Sequence, residues 1–344
     1  MHQALHAHHP FRIFAVSGFL TLAAIVGVLV GKGFGATVIA IILIAVEVAF
    51  SFDNAILNAR VLARMSAFWQ AMFLTVGAAV AIFGMRIVFP IVIVAITADL
   101  SLAQVFDLAL HHPHEYAHEL ELAHPALSAF GGAFLLVLAL DFFVDDTRQV
   151  TWLRIEQPVS RLATNWAPLI TLGVVGLVSI MPFNHHGLQT CIAGALGVAT
   201  YMIIHGLTEW FARLQNRKAQ AALHTGIAGF MSFLYLEVLD ASFSFDSVLG
   251  AFAVTQDVIL IAIGLGVGAL WVRSLTIFMV RRGTLANYKY IEHGAHYTIG
   301  VLAVILLASL FIEVPEAITG LTGIGIIGAS IVASRQALAA KHRR

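Results

Sequence analysis

The chain has 344 residues, 60% of them hydrophobic and 11% charged, with a mean hydropathy of +0.90. Soluble globular chains carry about 25% charged residues, so an ordinary soluble domain is excluded, and apolar runs of about 20 residues suit membrane-spanning helices where barrel strands would be shorter and alternating. The formal net charge of zero gives no basic face for nucleic acid, and the single cysteine, Cys191, excludes an internal disulfide or a multi-thiolate metal cluster.

The composition therefore predicts an all-α, polytopic transmembrane helical bundle of about 9–10 spans, a single integral membrane domain over 1–344 with the lipid bilayer as its partner. In chain order the candidate spans are 12–31, 35–58, 68–97, 126–145, 166–182, 187–211, 226–254, 257–280, 295–312 and 317–334. The apolar stretch 13–30 is followed by further spans and lacks a small-x-small cleavage site, so it reads as a first span and not as a removed signal peptide. Placing the N-terminus inside puts sixteen of the nineteen Lys and Arg residues in inner segments, with Lys32 alone outside and Arg86 and Arg273 within spans. Both termini are thus expected to be cytoplasmic in a multi-pass protein.

One phrase occurs twice. Residues 47–54 read Glu-Val-Ala-Phe-Ser-Phe-Asp-Asn and residues 240–247 read Asp-Ala-Ser-Phe-Ser-Phe-Asp-Ser. Each places two acids six residues apart inside an apolar run, at a cost of about 2.5–3.5 kcal/mol per charge at mid-bilayer on insertion scales. The span after each copy carries a glycine nine residues before an arginine, Gly77 to Arg86 and Gly264 to Arg273. The first copy runs inward and the second outward, which predicts two inverted repeats, about 35–97 and about 226–283, with a site near the midplane at their interface.

On a helical wheel Glu47, Ser51, Asn54 and Asn58 share one face, and Asp53 lies off it. In the second copy Glu237, Asp240, Ser244 and Ser247 share a face, and Asp246 lies off it. Either each helix serves two neighbours, or it is broken near Ser-Phe-Asp. Pairing of these acids with Arg86 and Arg273 would serve helix packing, but four acids against two arginines leave negative charge over, which points to a cation site. Carboxylate, amide and hydroxyl oxygens suit hard or borderline divalent ions, with protons an alternative. Asp141 is a further intramembrane acid, a site member or a helix-packing group.

Glu292 and His296 stand four residues apart on one helical face beside His293, as a cap or a shared contact for a metal or proton. The long outer loop, about 98–125, holds five histidines and several acids without Lys or Arg, and its 101–110 stretch is apolar enough to lie in the interface. No H-E-x-x-H, nucleophile elbow or P-loop occurs, and no nucleophile–base set stands out, so an enzyme is not expected.

At Glu-Val-Ala-Phe-Ser-Phe-Asp-Asn the sequence resembles the TerC family of bacterial integral membrane proteins, which carry an acid-x(3)-Ser-x-Asp-Asn phrase on one span and a related phrase on a later one. The Glu-His-Gly-Ala-His-Tyr segment and the Asp-Phe-Phe-Val-Asp-Asp span resemble one branch of that family, and the resemblance covers roughly 35–330. It implies membership of a wider group of inverted-repeat exporters, some associated with manganese export and others named for tellurite resistance. It points to Glu47, Asp53, Asn54, Asp240 and Asp246 as metal ligands, with Ser247 standing where the pattern has a second Asn.

The expectation is a bacterial inner-membrane exporter of a divalent cation, manganese favoured, with no tightly bound cofactor. Ser51, Ser244, Ser247, Glu237, Asp141, Arg86 and Arg273 would support the site. The alternatives are a scaffold that recruits stress-response proteins through inner Arg148, Arg154 and Arg161, or an exporter of a small organic cation.

Overall fold

The structure is a computed structural model, and it describes residues 10–144, 150–153, 156, 166–216, 224–283, 288–312 and 314–342. The N-terminal histidines, the inner connection with Arg148, Arg154 and Arg161, and the side chain of Asp246 lie outside them. No strand occurs among the described residues. The helices are α1 (Pro10–Phe50), α2 (Phe52–Leu62), α3 (Ala67–Met72), α4 (Phe89–Thr97), α5 (Leu102–His111), α6 (Pro113–Val144), α7 (Trp166–Ile180), α8 (Gly187–Asn216), α9 (Gly226–Val254), α10 (Val258–Arg282), α11 (Ile291–Ala308) and α12 (Glu316–His342). Two π-helical stretches, Phe73–Gly77 and Val80–Val88, join α3 to α4. Eight helical runs among the described residues are long and apolar enough to cross a membrane, and leucines, isoleucines and phenylalanines cover the outside of the bundle. The chain is a multi-pass α-helical membrane protein.

The first run is a hairpin. Gly33 has φ +85° and ψ −177°, a conformation that only glycine adopts without strain. On the first arm Ser17 hydrogen-bonds Ser274 (2.6 Å) and Lys32 pairs with Asp257, so this arm runs antiparallel to α10. On the second arm Leu43 packs on Gly264 and Glu47 on Gly268, so this arm runs parallel to it. Val28 and Ala40, one from each arm, meet over Leu260. Counting the two arms of the hairpin separately and adding the shorter apolar helix α7 gives ten apolar helical segments among the described residues, at the places where the hydropathy puts its ten candidate spans.

The contacts also sort the helix ends. Lys32 and Asp257 mark one end of the bundle. The other end gathers Arg64 and His224, whose backbones bond (2.8 Å), Arg60 with Glu292 (3.6 Å), and His293 with the Val150 carbonyl (2.9 Å). The segment 98–125, expected to be an outer loop, is helical instead, through α5 and the first turns of α6. A Ser101–Gln104 capping box starts α5, and Val105 and Ala109 tuck under α6 while Leu102, Phe106 and Leu110 remain exposed. Its histidines spread along two helices: His111 contacts Asp107 (2.7 Å) and His112 contacts Glu115 (3.7 Å), all largely exposed.

Within lipid the hydrophobic effect does not drive helix against helix, so close approach depends on small residues. A Cβ on Gly264 would lie 2.5 Å from that of Leu43, and one on Gly268 would lie 2.6 Å from Cβ and Cγ of Glu47. These two glycines bring α10 against the second arm of α1 at the depth of the repeated phrase.

Candidate functional site

The repeated phrase forms a buried polar network that joins α1, α2, the second π-helical stretch, α9 and α10. Glu47, 3% exposed, closes an ion pair through Oε1 with Nη2 of Arg86 and accepts the Ser51 hydroxyl at the same oxygen (3.2 Å). The remaining donors of Arg86 reach the Leu265 carbonyl (3.1 Å), the Ala81 carbonyl (2.9 Å) and Ser244 Oγ (3.2 Å). The bond to Ala81, five residues back, lies within the π-helical stretch. Such bulges recur at functional sites because they redirect a side chain without ending the helix.

The other half is built around Arg273. Its Nη2 donates to both oxygens of Glu237 (3.2 Å each) and to Asp240 Oδ2 (3.3 Å), and its Nη1 donates to the Phe73 carbonyl (3.0 Å). The guanidinium also lies 4.2 Å from the Phe73 ring centroid. Gly77 makes room for this pair, since a Cβ there would sit 2.5 Å from Arg273 Nη1 and 2.7 Å from Glu237 Oε1. The two copies of the phrase interlock: Asn54 Nδ2 donates to Asp240 Oδ1 (3.1 Å), and Arg86 reaches across to Ser244.

The chain is locally distorted at the first copy and not at the second. Ser51, with φ −92° and ψ 17°, separates α1 from α2, whereas α9 runs unbroken through 240–247. The Ser51 amide still bonds the Glu47 carbonyl (3.0 Å), but the Asn54 amide donates to Asp53 Oδ1 (2.8 Å). Asp53 is therefore held at the break, and none of the ion pairs among the described residues joins it to an arginine.

Three buried oxygens on this strand of the network have no partner: Glu47 Oε2, Asn54 Oδ1 and Asn58 Oδ1. They belong to the single face Glu47–Asn54–Asn58 of the second span, and all three are acceptors. Among the described residues the carboxylates Glu47, Glu237 and Asp240 pair with Arg86 and Arg273, and Asp53 lies beside this set outside the ion pairs; together the six groups carry a net charge of −2 when all are ionised. No three His, Cys, Asp or Glu side chains among the described residues converge closely enough to hold a metal by themselves. A bound cation would thus take carboxylate oxygens together with amide and hydroxyl oxygens.

The structure separates the remaining predicted residues from this network. Asp141 accepts the Tyr201 hydroxyl (2.9 Å) and lies 3.9 Å from His205. Glu292 turns to Arg60, His293 lies 3.4 Å from Glu156, and His296 Nδ1 donates to the Glu292 carbonyl (2.7 Å) and stacks on Phe142. These three side chains therefore have separate partners at the inner end predicted by charge. Ser247 borders the cavities near Phe50. The sequence placed Asn58 on the polar face but did not single it out as a site residue. Ser242, Thr298 and Thr319, which line the same cavity as Asp53, carried no local signal, because hydroxyls in apolar helices ordinarily bond their own backbone.

Fold and network define a polytopic α-helical membrane protein with a buried, charge-unbalanced polar core. The chain belongs to the family described as Protein of unknown function (DUF475), whose model matches residues 52–341. That match contains Asp53, Asn54, Arg86, Glu237, Asp240, Asp246 and Arg273, with Glu47 just before it. No curated protein and no solved structure matches the chain significantly.

Proposed function

We propose that the protein exports a divalent metal cation, manganese favoured, across the bacterial inner membrane by alternating access at the buried carboxylate network. The single observation behind this reading is the set of three unpartnered, buried acceptor oxygens, Glu47 Oε2, Asn54 Oδ1 and Asn58 Oδ1, beside a charge set of −2. A buried acceptor without a donor costs about 1–3 kcal/mol, more when charged, and a cation coordinated at such an oxygen removes that cost. Oxygen ligands without thiolate favour a hard or borderline ion.

Arg86 and Arg273 neutralise the carboxylates while the site is empty. An arriving ion competes with the guanidinium groups, which hold alternative carbonyl acceptors at Leu265, Ala81 and Phe73. The crossed contacts Arg86–Ser244 and Asn54–Asp240 support the reading of two inverted repeats that share one site, and relative movement of the repeats would expose it to either side. The TerC resemblance points the same way.

A second reading, in which the acids only fasten helices, is favoured by the Arg pairs themselves; it leaves the unpaired oxygens and the surplus charge without a role. The test is cellular manganese in a host lacking its own exporter. Wild type should lower accumulation and Asp240→Asn should not, with both proteins inserted at equal level. Equal effects of wild type and mutant, or no effect of wild type on any metal, would reject the proposal.

A further inference from the structure

Asp53 stands apart from the arginine-closed network. Its Oδ1 accepts the Asn54 amide, and among the described residues its Oδ2 has no partner, although the residue is only 5% exposed. The side chain borders a cavity between the α1–α2 break, α9, α11 and α12, which it shares with Ser51, Ser242, Ser247, Thr298 and Thr319.

Three of the five hydroxyls of that cavity are oriented in one sense. Ser242 donates to the Val238 carbonyl (3.0 Å), Thr298 to the Gly294 carbonyl (3.0 Å) and Ser51 to Glu47 Oε1 (3.2 Å). Their protons are committed elsewhere, so the oxygens present lone pairs to the cavity, around a carboxylate with one free oxygen. With a carboxylate at its edge and three of its five hydroxyls presenting lone pairs, such a lining attracts a cation, and the Ser247 and Thr319 hydroxyls can turn their own lone pairs the same way. A separate small cavity on the Glu47 side is bordered by Glu47, Leu43, Val46 and Gly250. Phe50 and Ser247 border both cavities, and the Phe50 ring packs directly on Gly320 of α12, where a Cβ would collide with it.

We propose that the Asp53 cavity is a second cation-binding position, distinct from the Glu47–Asn54–Asp240 site, with the Phe50 ring as the partition between them. It takes a partly hydrated hard divalent cation: Asp53 supplies the charge, and Ser51, Ser242 and Thr298 replace part of the water shell. This inference rests on the cation-exporter reading and refines it to two ions per chain.

Equilibrium binding of Mn2+ to the purified full-length chain in detergent tests it. Wild type should bind two ions, and Asp53→Asn and Asp240→Asn should each bind one. The double variant Thr298→Val with Ser242→Ala should retain both ions, one of them bound about tenfold more weakly, as for lost supporting ligands. Because that variant leaves every charge in place, it remains informative if Asp53→Asn fails to fold. One ion in wild type, lost in both single variants, would overturn the second position and leave the exporter reading intact. An unchanged affinity in the double variant would also overturn it. No binding to wild type would overturn both proposals.

Discussion

Arg273 is 4% exposed and serves two carboxylates at once, which makes it the residue on which the second half of the network depends. Removing one member of a buried ion pair leaves uncompensated charge and costs about 3–5 kcal/mol, whereas replacing both members is far milder. Arg273→Met should therefore lower the resistance of the detergent-solubilised protein to unfolding by about that amount. Adding Glu237→Gln should recover part of the loss, and additive losses would show that the pair is not coupled. Asn54→Ala addresses a weaker link. It removes the direct bond between the phrases seen among the described residues, Asn54 to Asp240, and should cost about 1–2 kcal/mol, with manganese binding weakened more than stability. Equal binding by Asn54→Ala and wild type would remove the amide from the ligand set. The identity of these residues was legible in the sequence because acids and arginines in apolar helices are rare. Their pairing was only half legible: Arg86 and Arg273 were expected to meet the acids, but that Arg273 would take Glu237 as well as Asp240 depends on how far α10 lies from α9.

At the scale of elements, glycines decide where helices touch. Gly77→Ala would drive a methyl group into Arg273 and Glu237, so an overpacking cost of about 1–3 kcal/mol is expected, while Gly173→Ala on α7, with open space around its Cβ position, should be nearly silent. Thermal unfolding of the two variants side by side distinguishes a packing glycine from an incidental one. His224 joins the turn after α2 to the start of α9, bonding Ser232 through Nδ1 (2.8 Å) and Ser66 through its carbonyl (3.1 Å). Burial, reinforced by the positive charge of Arg64, lowers its pKa below the ordinary 6.5. The folded state therefore prefers the neutral ring. The unfolded chain takes up the proton first as pH falls through 6.5, so this joint loses stability toward acid and gains nothing further above neutrality. His224→Gln should flatten the acid limb of the stability profile; an unchanged limb would assign the sensitivity to other groups. Helix extents were readable from hydropathy, but the helical state of 98–125 was not. Its polar histidines and acids resemble a solvated loop, and only the docking of Val105 and Ala109 under α6 shows the segment to be folded.

For the whole molecule, the contacts at the helix ends show which connections share a side, and the charge asymmetry predicts which side is cytoplasmic. With Cys191→Ser as the background, Lys32→Cys should react with a membrane-impermeant thiol reagent added to intact cells, and Arg64→Cys only after the membrane is opened. The reverse pattern would invert the orientation read from Lys and Arg placement. The sequence by itself determined the class of protein, the approximate positions of its apolar helices and the residues worth attention. Hydropathy and the cost of charge in lipid are local properties that every segment carries with it. Tertiary structure alone decided that Asp53 leaves the arginines for a hydroxyl-lined cavity, that Glu292 turns to Arg60, and that Asn54 and Arg86 cross to the opposite copy of the phrase. Those outcomes depend on interhelical distances between residues far apart in the sequence, 186 positions for Asn54 and Asp240, set by which small residues allow two backbones to approach, and no local pattern encodes them.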